Sequence, residues 1–252
     1  MHFRSILPVL TCLMLASPAH AADKPYRVSL TGDGYDGKAW QTGVRIELDE
    51  GWKTYWRMPG EAGVPPEFTW NPSVPAHVEV HYPVPQRYAD ASGETVGYKH
   101  EVVFPVTVDA GTAAGLTLGL DLFFAVCKDV CIPATARTSI DLGANIRDPE
   151  GAARVDDAMR QVPVKSEAVT DARAEMEDGK PVLRLTLKDA AEDVFVETTG
   201  SAYFRRPRFS ADHREAVLAI DNVKDAAGLK GATLTLTIAK GRSGLEQTVT
   251  LP

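Results

Sequence analysis

The sequence predicts an all-β protein: two β-sandwich domains joined by a short helical linker. Three observations carry this. Short apolar runs recur along most of the chain, separated by Gly, Pro, Asp and Asn. In Val44-Arg45-Ile46-Glu47-Leu48 and Leu116-Thr117-Leu118-Gly119-Leu120-Asp121-Leu122 the apolar residues repeat with period two, as on strands with one buried and one wet face. Near residues 145–165 the texture changes to a capped helical stretch, then returns to β.

Taken in order, residues 1–21 read as a secretory signal peptide. Arg4 gives the positive start, Ile6 to Ala16 the apolar run, and Ala19-His20-Ala21 the small-x-small cleavage site. The run is shorter than the ~20 residues a membrane span needs, and no later stretch is apolar enough to cross a bilayer. The expected destination is the periplasm or outside, where disulfides persist. Strands are then expected at 26–31, 39–48, 54–56, 67–70, 77–82, 101–108, 116–124 and 135–142, filling a first domain over 22–147. Regularly spaced short strands of this kind build a sandwich.

Asp148-Pro149-Glu150 places an N-cap, a proline at the first helical position and an acid in the first turn. A helix over 152–162, ended by Pro163, makes 148–164 the linker. Strands at 182–188, 194–198, 216–220, 232–238 and 246–251 fill a second small sandwich over 165–252.

The chain has 252 residues, 34 acidic against 27 basic, for a net charge of −7. Loss of the leader removes Arg4 and makes it one unit more negative. That balance argues against a general nucleic-acid binder, which needs a basic surface. No Ser/His/Asp arrangement, phosphate-binding loop or His-Glu-x-x-His motif gives a hydrolase reading residues to rest on. The length is enough for a core that does not depend on disulfides.

Cys12 lies in the leader, so the mature chain keeps only Cys127 and Cys131. Four residues of extended strand span ~13 Å, whereas a disulfide needs Cα atoms within ~7 Å. If the two bond, the chain must turn between them, either with Lys128-Asp129 as the turn of a hairpin or within one helical turn. Closing so short a loop stabilises by only ~2 kcal/mol in the chain-entropy model, and a staple would gain more by joining distant segments. Lys128 would lower a neighbouring thiolate pKa and Asp129 would oppose it. A redox couple, a staple and a metal-binding pair remain open on these grounds. Cu(I) held by Cys127, Cys131 and Met58 is chemically reasonable, since all three ligands are soft.

Other constellations read as structure. His77 and His81 share a strand face at ~13 Å, too far apart for one metal. Trp52, Tyr55, Trp56 and Trp70 suit a sandwich core. Arg205-Arg206-Pro207-Arg208 reads as a solvated loop or edge, because Pro207 cannot serve a central strand. Phe123, Phe124, Val126 and Ile132 read as hairpin packing, with a docking rim for a partner as the sharper alternative.

Several ordered motifs carry a family resemblance across residues 40–142. They are Gly51-Trp52-Lys53-Thr54-Tyr55-Trp56-Arg57-Met58-Pro59-Gly60 with Gly63-Val64-Pro65-Pro66, then Tyr82-Pro83 with Pro85 and Arg87, then Gly97-Tyr98 leading into Val103-Phe104-Pro105-Val106, and finally Ala125-Val126-Cys127-Lys128-Asp129-Val130-Cys131-Ile132-Pro133. The chain resembles the periplasmic N-terminal domain of the thiol:disulfide interchange protein DsbD, and more closely its ScsB-type relatives. Residues 165–252 loosely resemble the second β domain of the ScsB-like group.

The resemblance implies an immunoglobulin-type sandwich whose cysteine pair, here Cys127 and Cys131, shuttles electrons. It implies a transmembrane thiol reductant upstream, periplasmic thioredoxin-like acceptors downstream, and no metal or organic cofactor. Better-known members have more than three residues between their cysteines. They also shield the pair with an aromatic residue on a cap loop. The matching Asp90-Ala91-Ser92-Gly93-Glu94 has none, so the expectation is either weaker shielding or shielding by Tyr88, Tyr98 or Tyr55, and Tyr55 matches a tyrosine the family places beside its cysteines. Full-length members continue into membrane helices and a thioredoxin-like domain. The expectation here is a freestanding version or the periplasmic piece of a longer protein. The alternative from another class is a non-catalytic interaction or Cu(I)-handling module.

Overall fold

The computed structural model describes residues 24–60, 63–90, 93–143 and 148–252; the expected leader, with Cys12, lies outside the described residues. Up to residue 143 the strands are β1 (Tyr26–Tyr35), β2 (Trp40–Leu48), β3 (Lys53–Gly60), β4 (Glu67–Pro72), β5 (His77–Val80), β6 (Gln86–Asp90), β7 (Gly93–Lys99), β8 (Glu101–Asp109), β9 (Gly115–Cys127) and β10 (Cys131–Gly143). One helix follows, α1 (Pro149–Met159). Then come β11 (Val164–Lys165), β12 (Val169–Glu177), β13 (Lys180–Leu187), β14 (Asp193–Thr198), β15 (Tyr203–Phe204), β16 (Arg208–Phe209), β17 (Glu215–Asp221), β18 (Thr233–Lys240) and β19 (Ser243–Thr250).

The protein is all-β as the sequence predicts, with sandwich halves and a short helix between them. In the N-terminal sandwich a sheet ordered β1-β2-β8-β5 faces one ordered β10-β9-β3-β7-β6, with β4 also paired to β9. The C-terminal sandwich faces β11-β19-β18-β14 against β12-β13-β17-β15, with β16 on β17. All pairs are antiparallel except β11 with β19.

The period-two runs fill the cores. Val44 and Ile46 of β2 and Leu118, Leu120, Leu122 and Phe124 of β9 are buried, against Trp56 and Phe104. Full burial of each such side chain is worth about 1.5–3 kcal/mol before entropy is charged. The second core gathers Leu183, Leu185, Val194, Val196, Phe204, Leu218, Leu234 and Leu236.

Helix α1 starts where the capping signal placed it. Asp148 accepts from the Gly151 N–H at 2.8 Å, and Pro149 is the first helical residue. The helix lies on the N-terminal sandwich: Val155 and Ala158 pack on Val103, and Gly32 (φ +74°) leaves room for the backbone at Ala152.

Several strands were not anticipated. The β6–β7 hairpin runs through the stretch read as a cap loop, and β11, β12, β15 and β16 also went unseen. Gln86-Arg87-Tyr88-Ala89-Asp90 and Thr170-Asp171-Ala172-Arg173-Ala174-Glu175 carry almost no large apolar residues, so they offer no alternation to read.

Candidate redox site

The β9–β10 hairpin sets the cysteines directly opposite one another, with Cα atoms 4.1 Å apart, and they are disulfide-bonded. Lys128-Asp129-Val130 forms the turn, as expected from the spacing. Along β9 the alternation of burial gives way to an unbroken buried run from Phe124 to Cys127. Phe124 and Val126 point into the main core, whereas Ala125 and Cys127 form a small cluster with Tyr55. The pair therefore sits at one end of the sheet, on the face away from the main core, beneath Tyr55.

The two sulfurs are not equivalent. Cys127 is 1% exposed, while Cys131 is an exposed residue. The Tyr55 hydroxyl donates to Cys127 Sγ at 2.8 Å and lies 3.3 Å from Cys131 Sγ. Of the tyrosines considered from the sequence, Tyr55 is the one brought to the cysteines.

Two glycines make room for it. A Cβ on Gly97, which pairs with Tyr55 across β3–β7, would overlap the Thr54 carbonyl oxygen. A Cβ on Gly63 would lie 2.5 Å from the Tyr55 ring.

The neighbours have separate tasks. Lys53 pairs directly with Cys127 across β3–β9, is 4% exposed, and donates to Thr95 Oγ1 at 2.9 Å. Lys128 is exposed and donates to the Glu50 carbonyl at 3.3 Å; Asp129 is exposed in the turn. Tyr88 is half-buried under Lys99, with its hydroxyl on Gln86, and burial holds its pKa above the usual tyrosine value. Tyr98 lies in the core, edge-on to Phe104, and donates to the Pro83 carbonyl at 2.7 Å. Burial pushes its pKa well up.

Glu94 accepts from Arg87 at 2.7 Å and from the Tyr203 hydroxyl at 3.2 Å. The Asp90 side chain, Ala91 and Ser92 lie outside the described residues. Met58, the third ligand of the copper alternative, packs against the main core.

Around the hairpin end Phe123 (38%), Ile132 (41%) and Val130 (71%) are exposed. Val130 was not singled out from the sequence; an apolar residue within a turn between two cysteines was the available signal. Lys53 was also passed over as part of a motif, although a lysine between aromatic strand positions is unusual enough to mark. The contacts between the two sandwiches, through Arg57 and Arg87, had no signal in the sequence, because their partners lie more than 100 residues away.

A sandwich with one buried and one exposed cysteine joined at a hairpin end, under a tyrosine hydroxyl, has the architecture of a thiol–disulfide domain. Residues 21–142 match the family described as "Thiol:disulfide interchange protein DsbD, N-terminal". That half of the chain is a DsbD-like N-terminal domain. Residues 161–252 match a domain of unknown function. The whole chain is similar to the N-terminal periplasmic domain of ScsB from Proteus mirabilis, with a TM-score of 0.74 and 25% identity, over 94% of this chain and 96% of that one. A search of curated proteins finds no match.

Proposed function

We propose that this protein is a periplasmic thiol:disulfide interchange module. It passes electrons through Cys127 and Cys131 from a membrane-embedded thiol reductant to thioredoxin-like acceptors. The observation that carries this reading is the asymmetry of the pair: Cys131, an exposed residue, is bonded to the buried Cys127, whose sulfur receives a hydroxyl hydrogen bond. The likeness to DsbD-type and ScsB domains supports it.

In the reduction step, a thiolate of the donor attacks Cys131 Sγ, the exposed sulfur. A donor–Cys131 disulfide forms, the Cys127–Cys131 bond breaks, and its electron pair leaves on Cys127 as a thiolate. The Tyr55 hydroxyl is already aimed at that sulfur, and buried Lys53 is its cross-strand neighbour. Both favour a charge that burial alone would disfavour. The donor's second thiolate then attacks its own sulfur in the mixed disulfide and releases Cys131. Two electrons have moved, and the donor leaves as a disulfide. Toward an acceptor the steps run in reverse: Cys131 thiolate attacks the acceptor's disulfide and one acceptor sulfur leaves as a thiolate, then Cys127 thiolate attacks Cys131 Sγ, expels the second acceptor thiolate and re-forms the Cys127–Cys131 bond. Phe123, Val130 and Ile132 form the apolar rim on which a transient partner docks.

The test is trapping. Cys127→Ser leaves the exposed sulfur without its resolver and should accumulate a mixed disulfide with a thioredoxin-like protein. Cys131→Ser should react slowly with the same probe. Equal trapping by both variants, or by neither, contradicts the assignment.

A further inference from the structure

The strand that carries Tyr55 loses its regular pairing immediately beyond it. Tyr55 pairs with Gly97 and Gly60 with Thr95, so five steps of β3 span two of β7. The irregular stretch is gripped from the C-terminal sandwich. The Arg57 guanidinium donates to Glu197 of β14 at 2.9 and 2.7 Å and to Glu246 of β19 at 2.7 Å. The two carboxylates hold the Arg57 pKa above its ordinary value against the opposing effect of burial. Arg57 also lies over the Trp56 ring at 4.7 Å, and Trp56, fully buried, packs on Phe195 of β14.

A bulged segment keeps fewer ladder bonds, so side-chain contacts carry more of its placement. The Tyr55 hydroxyl must stay within hydrogen-bond distance of one sulfur, which tolerates only a few tenths of an ångström.

We infer that Arg57 is a positioning residue of the disulfide site, and that the C-terminal sandwich serves to hold Arg57, and through it Tyr55, on Cys127. This rests on the exchange reading above. It gives the second sandwich a task in setting the redox couple rather than only in spacing or docking. Bidentate pairing by a guanidinium suits that task, since it fixes direction as well as distance.

The experiment is a double-mutant cycle on the full mature chain, read as the equilibrium constant with dithiothreitol. The variants are Glu197→Gln with Glu246→Gln, Tyr55→Phe, and all three together. Losing the hydroxyl bond to the Cys127 thiolate should shift the constant toward the disulfide about tenfold, which is ~30 mV. The paired glutamine changes should give a shift of the same sign, several-fold in size. They should add nothing in the Tyr55→Phe background, because residues acting through one another are non-additive.

A lowered melting temperature with an unchanged constant would make the contact merely structural and overturn the inference. So would an equal shift in both backgrounds. A wild-type disulfide that never equilibrates would instead overturn the exchange reading, so the two failures are told apart by the wild type. Arg57→Lys, which keeps the charge but loses the fork, should restore only part of the wild-type constant.

Discussion

The Tyr55 hydroxyl donates to the Cys127 sulfur at 2.8 Å, and Cys127 as a residue is 1% exposed. In the proposed exchange this contact prepares Cys127 as the leaving group. A hydrogen bond to a charged group is worth about 1.5–3 kcal/mol, and the charge exists only in the reduced protein.

Tyr55→Phe should therefore destabilise the reduced form more than the oxidised form. The expected change is a fall in potential of ~30 mV, about tenfold in the equilibrium constant, measured by equilibration with dithiothreitol, together with slower release of Cys127 during exchange. An unchanged potential would mean that the hydroxyl only packs there.

Gly97→Ala should damage the site from beneath. The added methyl overlaps the Thr54 carbonyl and approaches the Tyr55 Cα at 2.9 Å, both backbone atoms that cannot rotate away. Overpacking of this kind costs about 1–3 kcal/mol or more. Urea denaturation should show that loss, and the potential should move in the Tyr55→Phe direction as β3 is pushed from β7.

Arg87 joins the two sandwiches in a drier setting than Arg57. Its side chain is 3% exposed, and it donates to Asp193 at 3.0 and 3.2 Å, to Glu94 at 2.7 Å and to the Val194 carbonyl at 3.1 Å. Arg87→Met should cost roughly 3 kcal/mol, because it strands partly buried carboxylates. Adding Asp193→Asn and Glu94→Gln should recover part of that loss in urea unfolding. A triple variant weaker than the single one would contradict this account.

The strand pattern and the cysteine hairpin were legible because their causes are local. Period two along β9 reports a buried face, and only three residues between two bonded cysteines force a turn. Tyr55 was legible only through a family motif. Its partners are 72 and 76 residues away, and nothing in its neighbours announces them. The β6–β7 hairpin escaped because Arg87 and Glu94 are spent on contacts with the second sandwich, so polar residues occupy positions where alternation would show apolar ones. The same holds for Arg57, whose meaning depends on Glu197 and Glu246.

The helix cap gives a pH dependence. Asp148 accepts from the Gly151 N–H, the Gly32 N–H and the Thr31 hydroxyl, and these bonds, that from Gly151 foremost, hold its carboxyl below the ordinary value of 3.8. The folded protein then binds this proton less readily than the unfolded chain. Its contribution is present above the unfolded pKa and is lost as pH falls through the folded one. Asp148→Ala should cost about 1 kcal/mol at pH 7, and the gap from wild type should shrink below roughly pH 4. A gap constant from pH 7 to pH 3 would remove the charge from the explanation.

The central claim is that Cys127 and Cys131 form an exchanging couple in the folded protein. Equilibration of the mature chain across a graded dithiothreitol series, read by thiol alkylation and mass, tests it most directly. The account predicts reversible interconversion at about −200 to −270 mV, the range of exchanging couples, with the protein staying folded across the series. A pair that stays oxidised until the protein unfolds would be a staple, and would contradict it.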